Sequence, residues 1–413
     1  MSNKTKKWFT SPWNFAEEVR SQLKFAPKIE LHDVTLRDGE QQAGVTFRKD
    51  DKVRIAELLA EAGVHRIEAG MPAVSKEDEL AIKEIVKRKF GPKIFAFGRC
   101  MKEDVQRAVD CGVDGIVMEV PSSDHIIKYA YKWPLEKAVS LSVEATQYAK
   151  KAGLYTVFFP IDASRADINW FLDLIERISK EGHMDALAVV DTFGGCSPHA
   201  IPYLIKKIKE RINKPLETHF HDDFGMGSAN TVLGLAAGAN VAHTTISALG
   251  ERAGNAAYED VVMTLLTMYG IDLGIKTEKL YAISKEVLAM AGVRVRPNRG
   301  IFGDDIFKVE SGIISGWVRN CGDEHALELC PYRWELVGHD APEIVLGKNS
   351  GADSIKIWLE RIGHPLPSEE TQMEILLKVK ARALEKKGVL TLRDFENILA
   401  KFPLAKPASK AGD

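Results

Sequence analysis

Hydrophobic and polar positions follow two different periods along residues 28–275 of the chain. Short apolar runs predict strands, and the longer amphipathic runs between them predict helices. The predicted strands are 28–35, 65–69, 94–98, 115–120, 156–161, 186–191, 216–221 and 241–248. The predicted helices include 52–62, 77–89, 136–152, 168–181, 200–211 and 229–237. Alternating strands and helices in this number favour an α/β fold, a closed (β/α)8 TIM barrel, over an open sheet.

The sequence on either side of the predicted barrel has a different pattern. Residues 1–27 predict a leader with a short helix, and residues 276–365 predict a linker subdomain. Residues 366–413 predict a mainly helical C-terminal extension with a tail, in which Thr391 is typical of a capped helix start. The segment after about residue 276 holds too few predicted helices to bury its own apolar residues. We therefore expect it to be exchanged between the two chains of a homodimer.

Composition and charge narrow the class of protein. Of the 413 residues, 45% are hydrophobic and 28% are charged, and the formal net charge is -2. This balance predicts neither a nucleic acid nor a membrane surface as a partner. No apolar run is long enough to span a bilayer. The 5 cysteines are scattered without metal-ligand spacing, so we expect a cytoplasmic protein.

Polar side chains concentrate at the C-terminal ends of the predicted strands, where barrels of this kind carry their chemistry. In chain order these residues are Arg37, Asp38, Glu40, Gln41, Glu68, Arg99, Ser122, Ser123, His125, Asp162, Arg165, Asp191, Thr192, His219, His221 and Asn255. Polar residues with a purely structural role would be scattered over both ends of the barrel. Their concentration at one end predicts a functional site.

Two histidines of one predicted strand, His219 and His221, point to the same face because side chains alternate along a strand. Such a pair is by itself more often structural than metal-binding. Asp38 follows the first strand and Asn255 the eighth, and barrel closure makes the first, seventh and eighth strands neighbours. One carboxylate, two imidazoles and one amide oxygen suit Zn, Mn, Co or Mg. The sequence therefore predicts a divalent metal site with two coordination positions left open.

A 2-oxo acid suits two open positions, because its carboxylate and ketone oxygens can chelate an ion that polarises the ketone. Arg37 could neutralise charge on the ketone oxygen, or it could serve only as the ion-pair partner of Glu68. Thr192 and His125 could hold the substrate carboxylate, although His125 could instead only cap the next helix. The residues alone leave these alternatives open.

Three motifs, at residues 33–41 (DVTLRDGEQ), 217–225 (ETHFHDDFG) and 250–255 (GERAGN), occur in this order. Together they resemble the metal-dependent barrel family of 2-isopropylmalate, homocitrate and citramalate synthases, which is related to hydroxymethylglutaryl-CoA lyase. The resemblance covers residues 28–275 and weakens towards 365. It implies that Asp38, His219 and His221 bind the metal with Asn255 close by, and that Arg37 is catalytic. It also implies a Claisen condensation of an acyl-CoA, foremost acetyl-CoA, with a 2-oxo acid, followed by thioester hydrolysis.

Two positions depart from the pattern of that family. Ile161 stands where a glutamate is usual, and Ile314 stands where a histidine usually helps to deprotonate the acyl-CoA. Losing a general base slows proton transfer by roughly 10²–10⁴-fold, so either another group serves or the acyl partner differs. Apolar residues at both positions also favour an unusual substrate.

We therefore expect a metal-dependent acyltransferase with Arg37 and Glu68 as catalytic residues. The expected substrate-binding residues are Gln41, His125, Asp162 and Thr192. The expected metal ligands are Asp38, His219, His221 and Asn255. A second hypothesis is a carbon–carbon lyase or aldolase that acts on a hydroxy-oxo acid or a hydroxyacyl-CoA. A third is a non-catalytic paralogue that binds metal and assembles with an active homologue.

Overall fold

The computed structural model describes residues 3–404 and contains a closed barrel of eight parallel strands in sequential order. The strands are β1 (Glu30–Asp33), β2 (Arg66–Glu68), β3 (Lys93–Arg99), β4 (Gly115–Pro121), β5 (Tyr155–Ile161), β6 (Ala186–Asp191), β7 (Leu216–Phe220) and β8 (Val241–Thr244). The barrel closes where β8 pairs in parallel with β1, from Val241 opposite Glu30 to Thr244 opposite Asp33. The predicted (β/α)8 TIM barrel is confirmed.

Helices connect the strands and cover the outside of the barrel. They are α1 (Glu17–Arg20), α2 (Lys49–Ala62), α3 (Lys76–Arg88), α4 (Lys102–Cys111), α5 (Asp124–Ile126), α6 (Leu135–Lys151), α7 (Ile168–Glu181), α8 (Ala200–Arg211), α9 (Gly227–Ala236), α10 (Tyr258–Thr264) and α11 (Leu280–Ala291). Short 3₁₀ turns lie at Pro12–Phe15, Gly39–Gln41, Ala163–Arg165, Ile246–Ala248 and Thr277–Lys279. Helices α5 and α10 continue into π-helical turns at Ile127–Tyr131 and Leu265–Tyr269.

The largest difference from the predicted elements is at the last strand. The pattern predicts a strand over 241–248, but β8 ends at Thr244 and a 3₁₀ turn follows. The backbone N–H groups there go to side chains instead of a strand partner: that of Ile246 donates to Thr35 Oγ1 at 2.8 Å, and that of Ser247 donates to the Glu259 carboxylate at 3.0 Å. Side-chain acceptors from distant parts of the chain therefore decide where β8 ends.

The interior of the barrel is filled from the strands. Its buried cluster consists of Phe95, Phe97, Val117, Val157, Phe159, Ala186, Ala188 and Val190. These residues alternate along their strands, as one face of each strand must to point inward. No helix within residues 3–404 combines the length and the apolar character needed to cross a membrane.

Two compact units divide the described chain. One comprises residues 11–296 and 300–302, and the other comprises 3–10, 297–299 and 303–404. The second unit contains β9 (Lys308–Val309), β10 (Glu343–Ile344), α12 (Gly312–Cys321), α13 (Ala352–Arg361), α14 (Glu369–Lys386) and α15 (Leu392–Leu399). It also has 3₁₀ turns at Ala326–Glu328 and Trp334–Val337. The helical C-terminal extension is thereby confirmed, with Thr391 capping α15.

The second unit has a hydrophobic core of its own. It consists of Ile344, Leu346, Ile355, Trp358, Leu359, Ile375, Leu376, Val379, Ala383, Leu390, Phe395, Ile398 and Leu399. The expectation that this part of the chain has too few helices to bury its apolar residues holds only in part: α13, α14 and α15 supply most of this core, whereas Trp317, Leu377 and Leu384 are exposed. The homodimer and the domain bounds stay predictions.

Candidate metal centre and substrate site

Asp38, His219 and His221 come together at the C-terminal ends of β1 and β7. One potential ligand atom from each lies within 4.8 Å of the others. Asp38 Oδ2 is 3.3 Å from His219 Nε2 and 3.8 Å from His221 Nε2. All three side chains are buried. The alternation of side chains along β7 turns both imidazoles to the same carboxylate, while Phe220 between them points away.

Asn255 lies beside these three residues on the loop that follows β8. Its Nδ2 donates a hydrogen bond to Asp38 Oδ1 at 2.9 Å and another to the carbonyl of Leu249 at 3.2 Å. Its Oδ1 is buried and has no hydrogen-bond partner among residues 3–404. Rotation of the amide by half a turn would present this oxygen to Asp38 and the histidines. The four predicted ligands are therefore adjacent, with the amide nitrogen of Asn255 facing the carboxylate.

The protonation states of this group suit a cation. Burial alone would raise the pKa of Asp38, but Arg37, with His219 and His221, outweighs it and holds that pKa well below its ordinary value. Burial lowers the pKa of His219 to about 3 and also lowers the pKa of His221. At neutral pH the group thus offers one carboxylate and two neutral imidazoles, the forms that bind metal. Together with the unpartnered oxygen of Asn255, these residues fit a divalent ion.

A second group of possible ligands lies deeper in the barrel and consists of His32, Glu217 and His243. Glu217 accepts a hydrogen bond from Arg66 Nη1 at 2.8 Å, and its other oxygen lies 2.8 Å from His243 Nε2. All three are fully enclosed, whereas the group around Asp38 lies at the strand ends, beside the loops. The Asp38 group is the better candidate because a substrate can approach it from the barrel mouth.

Arg37 lies between the metal group and Glu68. Its Nε donates to Glu68 Oε1, and its Nη1 donates to Asp38 Oδ2 at 2.8 Å and to Gln41 Oε1 at 3.1 Å. The guanidinium lies 3.9 Å from the ring centre of Phe97. Its Nη2 is buried without a hydrogen-bond partner among residues 3–404. The ion pair with Glu68 is therefore real, but it leaves one donor of Arg37 for a ligand.

The other predicted substrate-binding residues form a network after β4, β5 and β6. Asp162 accepts hydrogen bonds from Arg165 at 2.6 and 3.0 Å and from Ser123 Oγ at 2.7 Å, and it lies 3.4 Å from His125 Nε2. Its backbone N–H donates to Thr192 Oγ1 at 2.8 Å. Asp162 has a left-handed φ of 63°, which these bonds hold in place. Asp162 thus anchors this loop, and the hydroxyl hydrogen of Thr192 is left to donate elsewhere.

Two further residues support the site and were missed by the sequence reasoning. Lys52 on α2 is buried, contacts Glu40 Oε2 at 2.5 Å and lies 3.3 Å from the carbonyl of Leu36, so it holds the turn that presents Arg37. Arg252 donates to the carbonyl of Thr192. Arg252 belongs to a motif that the sequence singles out, whereas Lys52 is marked only by its place on the inner face of a predicted helix.

Comparisons with known proteins identify the family and relatives of this chain. Residues 28–287 match the family model described as HMGL-like. Homocitrate synthase AksA of Methanothermobacter thermautotrophicus is 36% identical over 88% of this chain and 90% of its own length. The 2-isopropylmalate synthase of Methanocaldococcus jannaschii is 37% identical over 93% of this chain and 73% of its own length. The solved HMG-CoA lyase of Bacillus subtilis shares the fold, with a TM-score of 0.60 at 22% identity, over 66% of this chain and 97% of that one.

Proposed function

The chain belongs to the HMGL-like family, and from this premise we propose that it is a divalent-metal-dependent acyltransferase. It joins an acyl-CoA, foremost acetyl-CoA, to a 2-oxo acid in a Claisen-type condensation, and water then cleaves the thioester. The observation that carries the proposal is the convergence of Asp38, His219 and His221 next to the unpartnered edge of Arg37. The names of the relatives, homocitrate synthase and 2-isopropylmalate synthase, support the same reaction class.

Asp38, His219, His221 and Asn255 would hold the ion. Nitrogen and oxygen donors without a thiolate suit Zn, Mn, Co or Mg. When bound, the ion supplies Lewis acidity to the ketone of the 2-oxo acid. The buried carboxylate and the two neutral imidazoles are ready for a cation without first losing protons, which keeps the site competent at neutral pH.

Arg37 supplies a fixed positive charge at the reacting ketone. Its Nη2 donates to the ketone oxygen. The α-carbon of the acyl-CoA loses a proton to a general base and bonds to the ketone carbon, and the electron pair of the C=O double bond moves onto that oxygen as negative charge. Charge stabilisation of this kind typically contributes about 10²–10³-fold per donor to the rate. Glu68 acts through Arg37 as a positioning residue, because it binds Nε of the guanidinium and leaves Nη2 for the substrate. The ring of Phe97 beneath the guanidinium restricts it further.

The carboxylate of the 2-oxo acid is held by residues at the rim. The Thr192 hydroxyl donates to it, and the half-exposed imidazole of His125 faces the same loop. Gln41 accepts from Arg37 through its Oε1, which directs its Nε2 donors away from Arg37 and towards the substrate. These contacts orient the ketone so that its oxygen faces Arg37 and its carbon is open to attack.

The test is release of free thiol by the metal-loaded protein from acetyl-CoA and other acyl-CoAs, each combined with a panel of 2-oxo acids. We expect thiol release that requires both substrates. His219→Ala should lose the bound metal and the activity together. His183→Ala, which removes a histidine near Asp185 outside the site, is the matched control and should retain both.

Other outcomes would redirect the assignment. Absence of thiol release with every pair of substrates contradicts the proposal. Release of a 2-oxo acid from a hydroxy-oxo acid without any CoA would indicate the lyase instead, the alternative that Ile314 favours. If His219→Ala lost its metal and kept a biological effect of the protein, the non-catalytic hypothesis would stand.

A further inference from the structure

Glu119 is a carboxylate at the barrel mouth for which the proposed mechanism has no role. In the strand register it lies opposite Arg99 of β3 and opposite Phe159 of β5. It shares a face of β4 with Val117, which belongs to the interior cluster, so its side chain enters the barrel. The ring centre of Phe159 is 4.9 Å from that of His219. Glu119 is therefore one strand away from a ring that touches the metal group.

No hydrogen bond or ion pair satisfies the Glu119 carboxylate within residues 3–404. The cation next to it in the register, Arg99, makes two hydrogen bonds to Asp104, at 2.8 and 2.9 Å. Arg37 is bound to Glu68 and Asp38. These two arginines are thus matched by other carboxylates, and neither makes a direct hydrogen bond or ion pair with Glu119.

The electrostatic setting disfavours the charged form of Glu119. Burial raises its pKa, Arg37 and Arg99 oppose that rise, and Asp104 and Glu68 add to it. A partly buried carboxylate without a partner loses hydration that nothing in the protein replaces. A ligand that donates a hydrogen bond to the carboxylate would replace the hydration that burial removes. Such a carboxylate at the mouth of a pocket with aromatic walls is therefore suited to ligand recognition.

The carboxylate lines a cavity of about 240 Å³. Its other walls include the cationic side chains of Arg99 and Lys137 as well as Pro121, Tyr131, Trp133 and Leu141. The rings of Tyr131 and Trp133 are 4.8 Å apart, and Lys137 Nζ lies 4.4 Å from the ring centre of Trp133. The cavity is smaller than the roughly 300–1,000 Å³ of a typical pocket for larger ligands. It is therefore of the size for the side chain of a small acid, with aromatic walls, the Glu119 carboxylate and the cationic side chains of Arg99 and Lys137.

We propose that Glu119 accepts a hydrogen bond from the far end of the 2-oxo acid and so selects a substrate whose side chain ends in a hydroxyl or ammonium donor. This inference rests on the proposed condensation, because it assigns the far end of the same substrate. An acid that ends in a methyl group leaves Glu119 unsatisfied. An acid that ends in a second carboxylate places like charges together, which costs free energy.

The size of the expected preference follows from the burial of the carboxylate. A fully buried site that hydrogen-bonds its substrate rejects an analogue lacking that group by about 10⁴–10⁵-fold. Glu119 is only partly buried, so water satisfies part of the unpaired carboxylate. We therefore expect a preference of about 10–100-fold for the donor over the methyl group.

The experiment compares three 2-oxo acids of similar length: 4-hydroxy-2-oxobutanoate, 2-oxopentanoate and 2-oxoglutarate, which end in a hydroxyl, a methyl and a carboxylate. For the wild-type protein, kcat/KM should decrease in that order. Glu119→Met keeps the length of the side chain and removes the acceptor. The preference for 4-hydroxy-2-oxobutanoate should therefore disappear, and kcat/KM for 2-oxopentanoate should rise. Glu119→Gln keeps an acceptor without the charge. It should therefore retain the preference for the hydroxyl acid, and its kcat/KM for 2-oxoglutarate should be higher than that of wild type.

Glu79→Gln on α3 is the matched control, because it removes a carboxylate bound to Lys83 outside the cavity. It should leave the order of the three acids unchanged. Each variant is first compared with wild type by circular dichroism and by its unfolding midpoint. If Glu119→Met does not fold, the more conservative Glu119→Gln provides the test. The quantity measured is then its kcat/KM for 2-oxoglutarate relative to that for 4-hydroxy-2-oxobutanoate. The inference is overturned if a folded Glu119 variant shows the same kcat/KM ratios among the three acids as the wild-type protein.

Failure of the proposed function would be distinguishable from failure of this inference. If the wild-type protein releases no thiol with any acid, the condensation is wrong whatever Glu119 does. Calorimetric binding of the same three acids to the metal-loaded wild type and to Glu119→Met then tests the pocket directly. A hydroxyl preference of the wild type that disappears in the variant supports the role of Glu119, and equal binding ratios contradict it.

Discussion

Asp33 and Glu259 are buried carboxylic acids behind the strand ends that present the metal group. Asp33 accepts hydrogen bonds from the backbone N–H of Thr35 at 2.9 Å and from its hydroxyl at 3.1 Å, and Thr35 Oγ1 accepts the N–H of Ile246. Glu259 accepts the N–H of Ser247. Burial raises the pKa of each acid to about 7. At the residue scale, these two acids tie the turn after β8 to the body of the barrel.

We expect the free energy of unfolding to fall as the pH rises from about 5 to about 7. In this range the folded protein still holds protons on Asp33 and Glu259, whereas the unfolded chain has released them, so rising pH favours unfolding. Glu259→Gln cannot titrate, and its profile should be less steep by up to about 1.4 kcal/mol per pH unit. Urea unfolding at several pH values measures this. Glu136→Gln, at an exposed carboxylate, should keep the wild-type slope, and a wild-type slope in Glu259→Gln would refute the expectation.

The loop at residues 250–255 illustrates how an element is shaped by backbone conformation rather than by side chains. Gly250 and Gly254 have φ values of 147° and 83°. A Cβ at Gly254 would lie 1.8 Å from the carbonyl oxygen of Ala248, so no other residue fits without moving the loop. Asn255 follows directly and reaches Asp38. At the scale of the element, the glycines determine where the fourth predicted ligand lies.

Gly254→Ala should displace Asn255 and weaken metal binding by about 10–100-fold, as disruption of the groups that orient a metal ligand does. Gly274→Ala is the matched control, because Gly274 has a φ of 74° but nothing within 4 Å of the added carbon. It shares the backbone strain without the clash, and it should keep wild-type metal affinity. Calorimetric titration with a divalent metal gives both affinities. Equal affinities for the two variants would show that loop geometry does not control the site.

The whole molecule is divided into two compact units, each with its own hydrophobic core. The core of the second unit is formed by residues of β10 and of α13, α14 and α15, and it includes the fully buried Leu346. Leu346 also accepts the backbone N–H of Leu390 at 2.8 Å. The second unit can therefore hold its own fold through contacts within itself.

Leu346→Ala should destabilise the second unit by about 2–5 kcal/mol, because a buried leucine leaves a cavity when it is truncated. Amide hydrogen exchange should show reduced protection in α13, α14 and α15, and unchanged protection in the barrel strands. Leu377→Ala on α14 removes a leucine that is 60% exposed and should change stability by about 0.5 kcal/mol or less. Equal loss of protection in both units after Leu346→Ala would show that their stabilities are coupled.

The period of apolar residues was sufficient to predict the barrel and most of its elements, because it reflects which face of each strand or helix is buried. It failed at the end of β8, where Thr35 and Glu259 provide acceptors that no local pattern reveals. After residue 276 it predicted helices but not which residues bury one another, because those residues are separated along the chain. Leu346, for example, shares its core with Phe395.

The amino-acid sequence by itself determined that His219 and His221 share a face, and that their strand ends beside those of Asp38 and Asn255. Both follow from the two-residue period of a strand and from the order of strands in a closed barrel. Only the tertiary structure decided that, among residues 3–404, Arg37 keeps one unpartnered donor and Glu119 makes no hydrogen bond or ion pair. The physical reason is that pairing among charged side chains depends on distances between strands and loops that no local period encodes.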